Sequence, residues 1–476
     1  MKTLELTITG LYIVGCILIG GWAQKRARQS KDDYWIAGRQ IGTFVNSWAL
    51  MAALASGGSV LGVTALGYSL GIPYAFAMYA GAVLGFPMAG VLVAKQLRNL
   101  GKVTITDFLT SRYKSRFIQI AVPIIIVLSM GTYIIAQMKA AGVTAQFLLG
   151  IPYNQAIVLT AIVFIVYVSI GGMWAVTVTD VVQGILVVFM MLVLAITMFT
   201  RFGGVTPLLM EAARVRPQVG TLAALPLSSY IGAFVVWACA APVIPHIVMR
   251  IYTSKDVKSA RYSLNYAMLI YAVMVVFGVL GISTAGHVVF PGLKDADTLF
   301  LKMTGEFLPP IFAGLAVAAV MAAVMSTTDA LLLSCASAVA HDIYEKIINP
   351  RASDRTVINI GMITTWVIGL AAMFFAFNPP KLLTMLYTAA VGLIVSSLFA
   401  PVVLGIWWKR ANDAGAIAGL LAGSVSYLYT LWFMKLPSLS HILISLPLSF
   451  VVMIVVSLAT ARPSDDVIRM VEELHS

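Results

Sequence analysis

Residues 322–332, AAVMSTTDALL, place Ser326, Thr327, Thr328 and Asp329 in a row inside an otherwise apolar stretch. Ala323, Ser326 and Thr327 stand at i, i+3 and i+4, so on a helix they share one face. A dehydrated sodium ion takes several hard oxygen ligands, which hydroxyls on such a face and backbone carbonyls released by a broken helix can supply. Ser and Thr in membrane helices also bond back to their own backbone or join helices. Thr328, about 100° round from Thr327 at 3.6 residues per turn, fits that packing role. Asp329, about 60° round from Ser326 and one turn further on, is an ionisable group within the run, which is costly and by default marks a functional site.

Four further places carry groups that could act. Asp180 in GGMWAVTVTDVVQG is either an acidic N-cap at the start of a helix or part of an ion path. Tyr133 and Gln137, at i and i+4 in TYIIAQMKAAG, share a face. Lys139 lies about 200° round from Gln137, so if that face lines a cavity Lys139 does not. It is a candidate partner for a substrate carboxylate, against snorkelling or pairing with a buried carboxylate. His246, after Pro245, has a ring that titrates near neutral pH or satisfies local backbone groups. The remaining histidines and the three cysteines show no metal-ligand spacing, and LASG at 54–57 has no base assigned to it by spacing.

These groups must be held by membrane helices. The chain has 476 residues, 60% hydrophobic and 11% charged, outside the range of ordinary globular domains. About 13 apolar runs, from 5–23 through 43–66, 117–149, 155–174, 180–200, 229–249 and 307–338 to 441–461, are each long enough to cross ~30 Å of hydrocarbon as a helix. No period-2 pattern supports a barrel. The first run lacks a small-residue cleavage site and is read as a retained helix. The net charge of +12 is not a nucleic-acid footprint: 22 of the 31 Lys and Arg fall in alternate loops and the C-terminal tail. That asymmetry places the N-terminus outside and the C-terminus in the cytoplasm.

Two runs are interrupted. ALASGGSVLG puts Ser56, Gly57, Gly58 and Ser59 at mid-membrane, and VVWACAAPVIPHIVMRIYT carries Pro242 and Pro245 near its middle. Broken backbone at that depth survives only where protein or a water-filled cavity satisfies it. The two breaks open two five-span units, and an odd number of spans inverts the second unit relative to the first. Paired broken helices in inverted repeats point to a secondary transporter with its site at the repeat interface. The organisation expected is 1–42, a peripheral helix and cytoplasmic loop; 43–228, the first repeat and an outer loop; 229–405, the second repeat; and 406–476, two peripheral helices and a short tail.

GGMWAVTVTDVVQG, IPHIVMRIYTSKD, AAVMSTTDALLLSCASAVAHDIY and PVVLGIWWKRANDAGAIAG resemble the sodium/solute symporter family, in order and spacing, from about residue 34 to 430. LLGIPY, FNPPKLLTML and WWKRAN look most like sodium/pantothenate symporters, while LRNLGKVTITDFLTSRY and YIIAQMKAAG are similar to acetate-type monocarboxylate permeases. The resemblance implies an all-α polytopic protein of the LeuT type. It also implies a sodium ion held by Ala52 and Ala55 of the first broken helix and by Ala323, Ser326 and Thr327. Asp180 is implied in cation release or a second sodium, and Asp329 stands where some members place a second-site hydroxyl. Ser56, Gly57, Gly58, Tyr133, Gln137, Trp237 and Ala241 are implied around the substrate. Where proline carriers place an aspartate in the broken first helix, this chain has Leu54.

The function expected is import of a small organic anion, a monocarboxylate or a pantothenate-like solute, across a plasma (bacterial inner) membrane. Sodium is the co-substrate, and no cofactor, other metal or nucleic acid is expected. The alternatives are a sodium/proline-type amino-acid symporter and, in another class, a membrane sensor. The short run RPSDDVIRMVEELHS after the last span is too short for a signalling domain. No nucleophile and base pair supports an enzyme.

Overall fold

A computed structural model describes residues 2–378 and 383–475. The only β feature among them is an isolated parallel bridge between Ile41 and Ser254. Among the described residues ten helices are long and apolar enough to cross a membrane, eleven if one bent pair counts as a single span. Two of the 13 expected spans fall on shorter apolar helices, Tyr153–Val166 and Leu227–Ala238. The helices used below are α1 (Lys2–Ala27), α2 (Thr43–Leu54), α3 (Gly57–Leu70), α4 (Ile72–Leu92), α5 (Arg116–Leu149), α6 (Tyr153–Arg201) and α7 (Leu227–Ala238). After them come α8 (Pro245–Thr253), α9 (Val257–Phe277), α10 (Pro310–Ser337), α11 (Asp354–Phe375), α12 (Leu383–Trp407), α13 (Asp413–Phe433) and α14 (Ile442–Ala459).

The molecule is patterned inside out. Leu18 and Trp22 of α1, Leu269 of α9, Phe374 of α11 and Trp432 of α13 face outward, whereas Ser326, Thr327, Asp329, Asp180 and Arg250 are buried. In hydrocarbon there is no gain in hiding an apolar side chain, and a large cost in exposing a polar one. α10 therefore sits centrally, packed chiefly on α6, α5 and α1, and its residues are buried almost without interruption from Ala313 to Ser337.

Both expected breaks are present, each with a local cause. α2 and α3 meet at a bend of 56°. Ser56 takes extended backbone angles and caps α3, its Oγ accepting the Ser59 N–H at 2.9 Å. Gly57 and Gly58 have no left-handed backbone to explain; they are needed for close approach. A Cβ would lie 2.3 Å from Val324 Cγ2 at Gly57 and 2.4 Å from Tyr387 Cε1 at Gly58. α7 stops at Ala238, and Pro245 begins α8 at a first-turn position, where its missing N–H costs nothing.

The structure departs from the sequence reading at α6. Spans 5 and 6 are expected to be separated by a loop, but they run as one helix interrupted only at Gly172 (φ 54°, ψ −164°). A left-handed glycine makes the corner, and a Cβ there would lie 2.7 Å from Tyr34 Cδ2 and 3.0 Å from the Tyr34 carbonyl. Asp180 is consequently no N-cap. It lies two turns inside the second arm, fully buried, and its Oδ2 accepts from Arg250 Nη2 of α8. The Arg250 guanidinium also donates to Thr177 Oγ1, and Asn46 of α2 donates to the Arg250 carbonyl at 3.0 Å. Arg250, expected at the edge of a loop, is 1% exposed and joins α8 to α6.

Two stability predictions follow from these ties. Gly172→Ala should lower the thermal midpoint of the detergent-solubilised protein by the equivalent of about 1–3 kcal/mol, the scale of strained backbone; an unchanged midpoint would show that the corner needs no glycine. Arg250→Met strands the Asp180 charge and should cost ~3–5 kcal/mol, whereas Asp180→Asn with Arg250→Met should recover most of it. A double variant no better than the single would show that the pair is not what holds α8 to α6.

Candidate functional site

The site begins with the carbonyls that the α2–α3 break releases. In an unbroken helix the Ala52 carbonyl would take the Ser56 N–H and the Ala53 carbonyl the Gly57 N–H. Here Ser56 N–H goes to the Leu54 carbonyl at 2.7 Å, and Gly57 N–H donates to Gln137 Oε1 of α5 at 3.1 Å. The two carbonyls left over are those that α10 meets. Ser326 Oγ donates to the Ala52 carbonyl at 2.9 Å, with the Ala323 carbonyl 3.2 Å away, and Thr327 Oγ1 donates to the Ala53 carbonyl at 3.0 Å. Five oxygens from two helices, all of buried residues, thus lie in two hydrogen-bonded contacts set by neighbouring residues.

This arrangement brings Ala52, Ala323, Ser326 and Thr327 together, with Ala53 beside them. Thr327 reaches Ala53, and no hydrogen bond among the described residues joins Ala55 to α10. Ala55 sits at the bend itself, its N–H returned to the Met51 carbonyl at 2.7 Å. Thr328 bonds back to the Val324 carbonyl at 2.6 Å, a packing hydroxyl as its angle implied. Asp329 is buried one turn beyond Ser326, and both it and Asp180 lie within electrostatic reach of Cys16 on α1. The two carboxylates therefore share one region of the interior.

Beside the break stands a wall of aromatic rings. Tyr133 of α5 stacks on Tyr387 of α12, with centroids 5.0 Å apart and planes at 17°. Trp237, at the end of α7, meets Tyr387 edge-on at 5.8 Å and donates from Nε1 to Thr388 Oγ1 at 3.3 Å. Tyr271 of α9 donates to Ser59 Oγ at 3.2 Å, and Ser56 Oγ and Ser59 Oγ are 3.2 Å apart. Gln137 Nε2 is buried without a hydrogen-bond partner among the described residues, which leaves a donor next to Gly57. Ala241 is buried in the turn between α7 and α8, and His246 on the first turn of α8 is buried with Nδ1 unpartnered.

Sequence reasoning missed Tyr387, Thr388 and Tyr271. The signal available was their polarity within long apolar helices, without a spacing to tie them to the break. Lys139 Nζ lies 2.9 Å from Asp297 Oδ2, a carboxylate of the protein itself.

The model of the sodium:solute symporter family matches residues 34–423. The osmoregulated proline transporter OpuE of Bacillus subtilis (strain 168) is 28% identical over 97% of this chain and 96% of its own length. Among solved structures, a Na+-coupled sialic acid symporter in a substrate-bound outward-open state superposes with a TM-score of 0.84 at 18% identity, covering 97% of this chain and 99% of that one. MhsT in complex with L-phenylalanine gives 0.59 at 15% identity, covering 88% and 99%. Likeness at these identities speaks for the fold, which is of the LeuT type. The family and these neighbours are transporters, not enzymes. With its motifs, its paired broken helices and a family match across most of its length, the chain belongs to the sodium:solute symporter family.

Proposed function

We propose that this symporter imports a small carboxylate-bearing solute, a monocarboxylate or pantothenate-like anion, across the plasma membrane by alternating access. The observation that carries the reading is the meeting of Ser326 and Thr327 with the carbonyls of Ala52 and Ala53. Turned from donors to ligands, the two hydroxyls and the Ala52, Ala53 and Ala323 carbonyls make a hard-oxygen cage that sodium fits, with Ala55 as a further carbonyl at the bend. The ion would tie α2 to α10, so its binding favours one arrangement of the two repeats, 43–228 and 229–405. The basic loops would face the cytoplasm.

The anionic substrate class is supported by what surrounds the break. Helix starts carry partial positive charge, and Gln137 adds an unpartnered amide donor beside Gly57. Leu54 offers no charge for an ammonium, and Asp180 and Asp297 are already paired with Arg250 and Lys139. Ser56, Gly57, Gly58, Tyr133, Gln137, Trp237 and Ala241 would border the solute, and Tyr387 joins them. The relative in Bacillus subtilis favours a second reading, a proline-like zwitterion. Asp180 and Asp329 would serve a second cation or its release path; one sodium per monoanion is electroneutral, and a second makes the cycle electrogenic.

Each net charge moved through 100 mV contributes ~2.3 kcal/mol, roughly a fifty-fold accumulation. In proteoliposomes a sodium gradient should drive uptake of a labelled monocarboxylate, competed by other carboxylates; competition by proline alone would favour the second reading. Current at saturating substrate should appear only with two sodium ions per anion, and its absence would exclude that stoichiometry. Ser326→Ala and Thr327→Ala should each raise the sodium concentration for half-maximal uptake by about tenfold, the equivalent of ~1.4 kcal/mol. Unchanged sodium dependence in both would remove the cage from the account.

A further inference from the structure

We propose that Asp297 is a positioning residue of the transport cycle: through Lys139 it latches the segment 284–307 over α3, on the face opposite the basic loops, and the pair must part before solute can reach the break from that face. The inference rests on the alternating-access reading above.

The pair is enclosed, with Lys139 8% and Asp297 1% exposed. Burying two charges is costly, and their attraction repays it only in a good geometry, so such a pair is better suited to fixing one arrangement than to adding stability. Asp297 sits on the short helical turn Ala296–Thr298, which Asp295 caps by accepting the Asp297 N–H at 3.2 Å. The Asp297 carboxylate thus joins the segment to α5.

The same segment grips the far end of α3. Tyr68 donates its hydroxyl to the Phe290 carbonyl at 2.7 Å, accepts the Leu293 N–H at 2.8 Å and stacks on His287 at 4.7 Å. Ser283 donates to the Thr64 carbonyl at 3.0 Å, and Ala296–Thr298 and Leu299–Phe307 pack against α3. α5 therefore meets α3 directly through Gln137 and Gly57, and meets the segment that packs on α3 through Lys139 and Asp297.

On this face the route to the break is shut. α3 and α12 lie so close that a Cβ on Gly62 would fall 2.3 Å from Thr384 Oγ1, one turn beyond the Gly58–Tyr387 contact. Opening that seam requires α3 and its gripping segment to leave α5 and α12 together, and the ion pair crosses that division beside the Gly57–Gln137 bond.

The test uses the full chain in proteoliposomes, in a background of Cys16→Ala, Cys239→Ala and Cys335→Ala that carries Thr384→Cys. A membrane-impermeant methanethiosulfonate is applied from each face in potassium medium. Asp297→Asn, and separately Lys139→Met with Asp297→Leu, should speed labelling from the face opposite the basic loops by about tenfold, within the usual range of a coupling between sites. Lys139→Asp with Asp297→Lys should slow it again. Sodium-driven uptake should fall in the two unlatched variants while stabilisation by sodium persists. The charge-free double variant strands neither partner, so it keeps the test readable if Asp297→Asn does not fold. Equal labelling rates in folded wild-type and variant protein, or acceleration only from the basic-loop face, would overturn the latch. Labelling needs no transport, so absence of sodium-driven uptake in the parent protein would count against the symport reading alone.

Discussion

The structure depends on two backbone carbonyls that have lost their own helix. Ala52 and Ala53 give up their ordinary donors at the bend, and deep in a membrane no water can replace them, an omission that costs several kcal/mol per group. Ser326 and Thr327 of α10 supply the missing donors. This requires α10 to stand at the centre of the protein, and α5 to divert the Gly57 N–H through Gln137. It also requires glycine at 57 and 58 so that Val324 and Tyr387 can close in. A hydroxyl that donates to a carbonyl in one state can present its lone pairs to an ion in another. In the proposed cycle, sodium replaces hydrogen bonds that already join the two helices, so its arrival changes their energy without dismantling the site.

Buried charge is arranged around this centre with matching care. Toward the basic loops, Asp180 and Arg250 join α6 to α8; on the opposite side, Lys139 and Asp297 join α5 to the segment that grips α3. Each pair joins one of the two broken helices, or what clasps it, to a neighbouring helix. Asp329, one turn beyond Ser326, is a further buried carboxylate. In the proposed alternating-access cycle, rearrangement at the breaks would be accompanied by a change at one pair or the other.

The local elements of this design were legible in sequence. The Ala323–Ser326–Thr327 stripe follows from helical periodicity, both breaks from Ser-Gly-Gly and Pro composition, and the shared face of Tyr133 and Gln137 from their spacing. The partners were not legible, because they are set by contacts across the chain: Asp180 and Arg250 are 70 residues apart, Lys139 and Asp297 158. Asp180 resembled a helix cap because a single left-handed glycine, Gly172, replaced the loop expected before it. Tyr387 had no spacing in sequence to tie it to the break, and the meeting of Thr327 with Ala53 depends on how sharply the helix bends, which composition does not fix.

The central claim is that sodium binds between the break and α10. Hydrogen–deuterium exchange of the purified protein, compared in sodium and in potassium without solute, tests it most directly. The account predicts slower exchange in sodium for amides around Ala52–Ser59 and Ala323–Asp329, with the slowing abolished by Ser326→Ala combined with Thr327→Ala. Identical exchange in the two cations, or slowing confined to other helices, would contradict it.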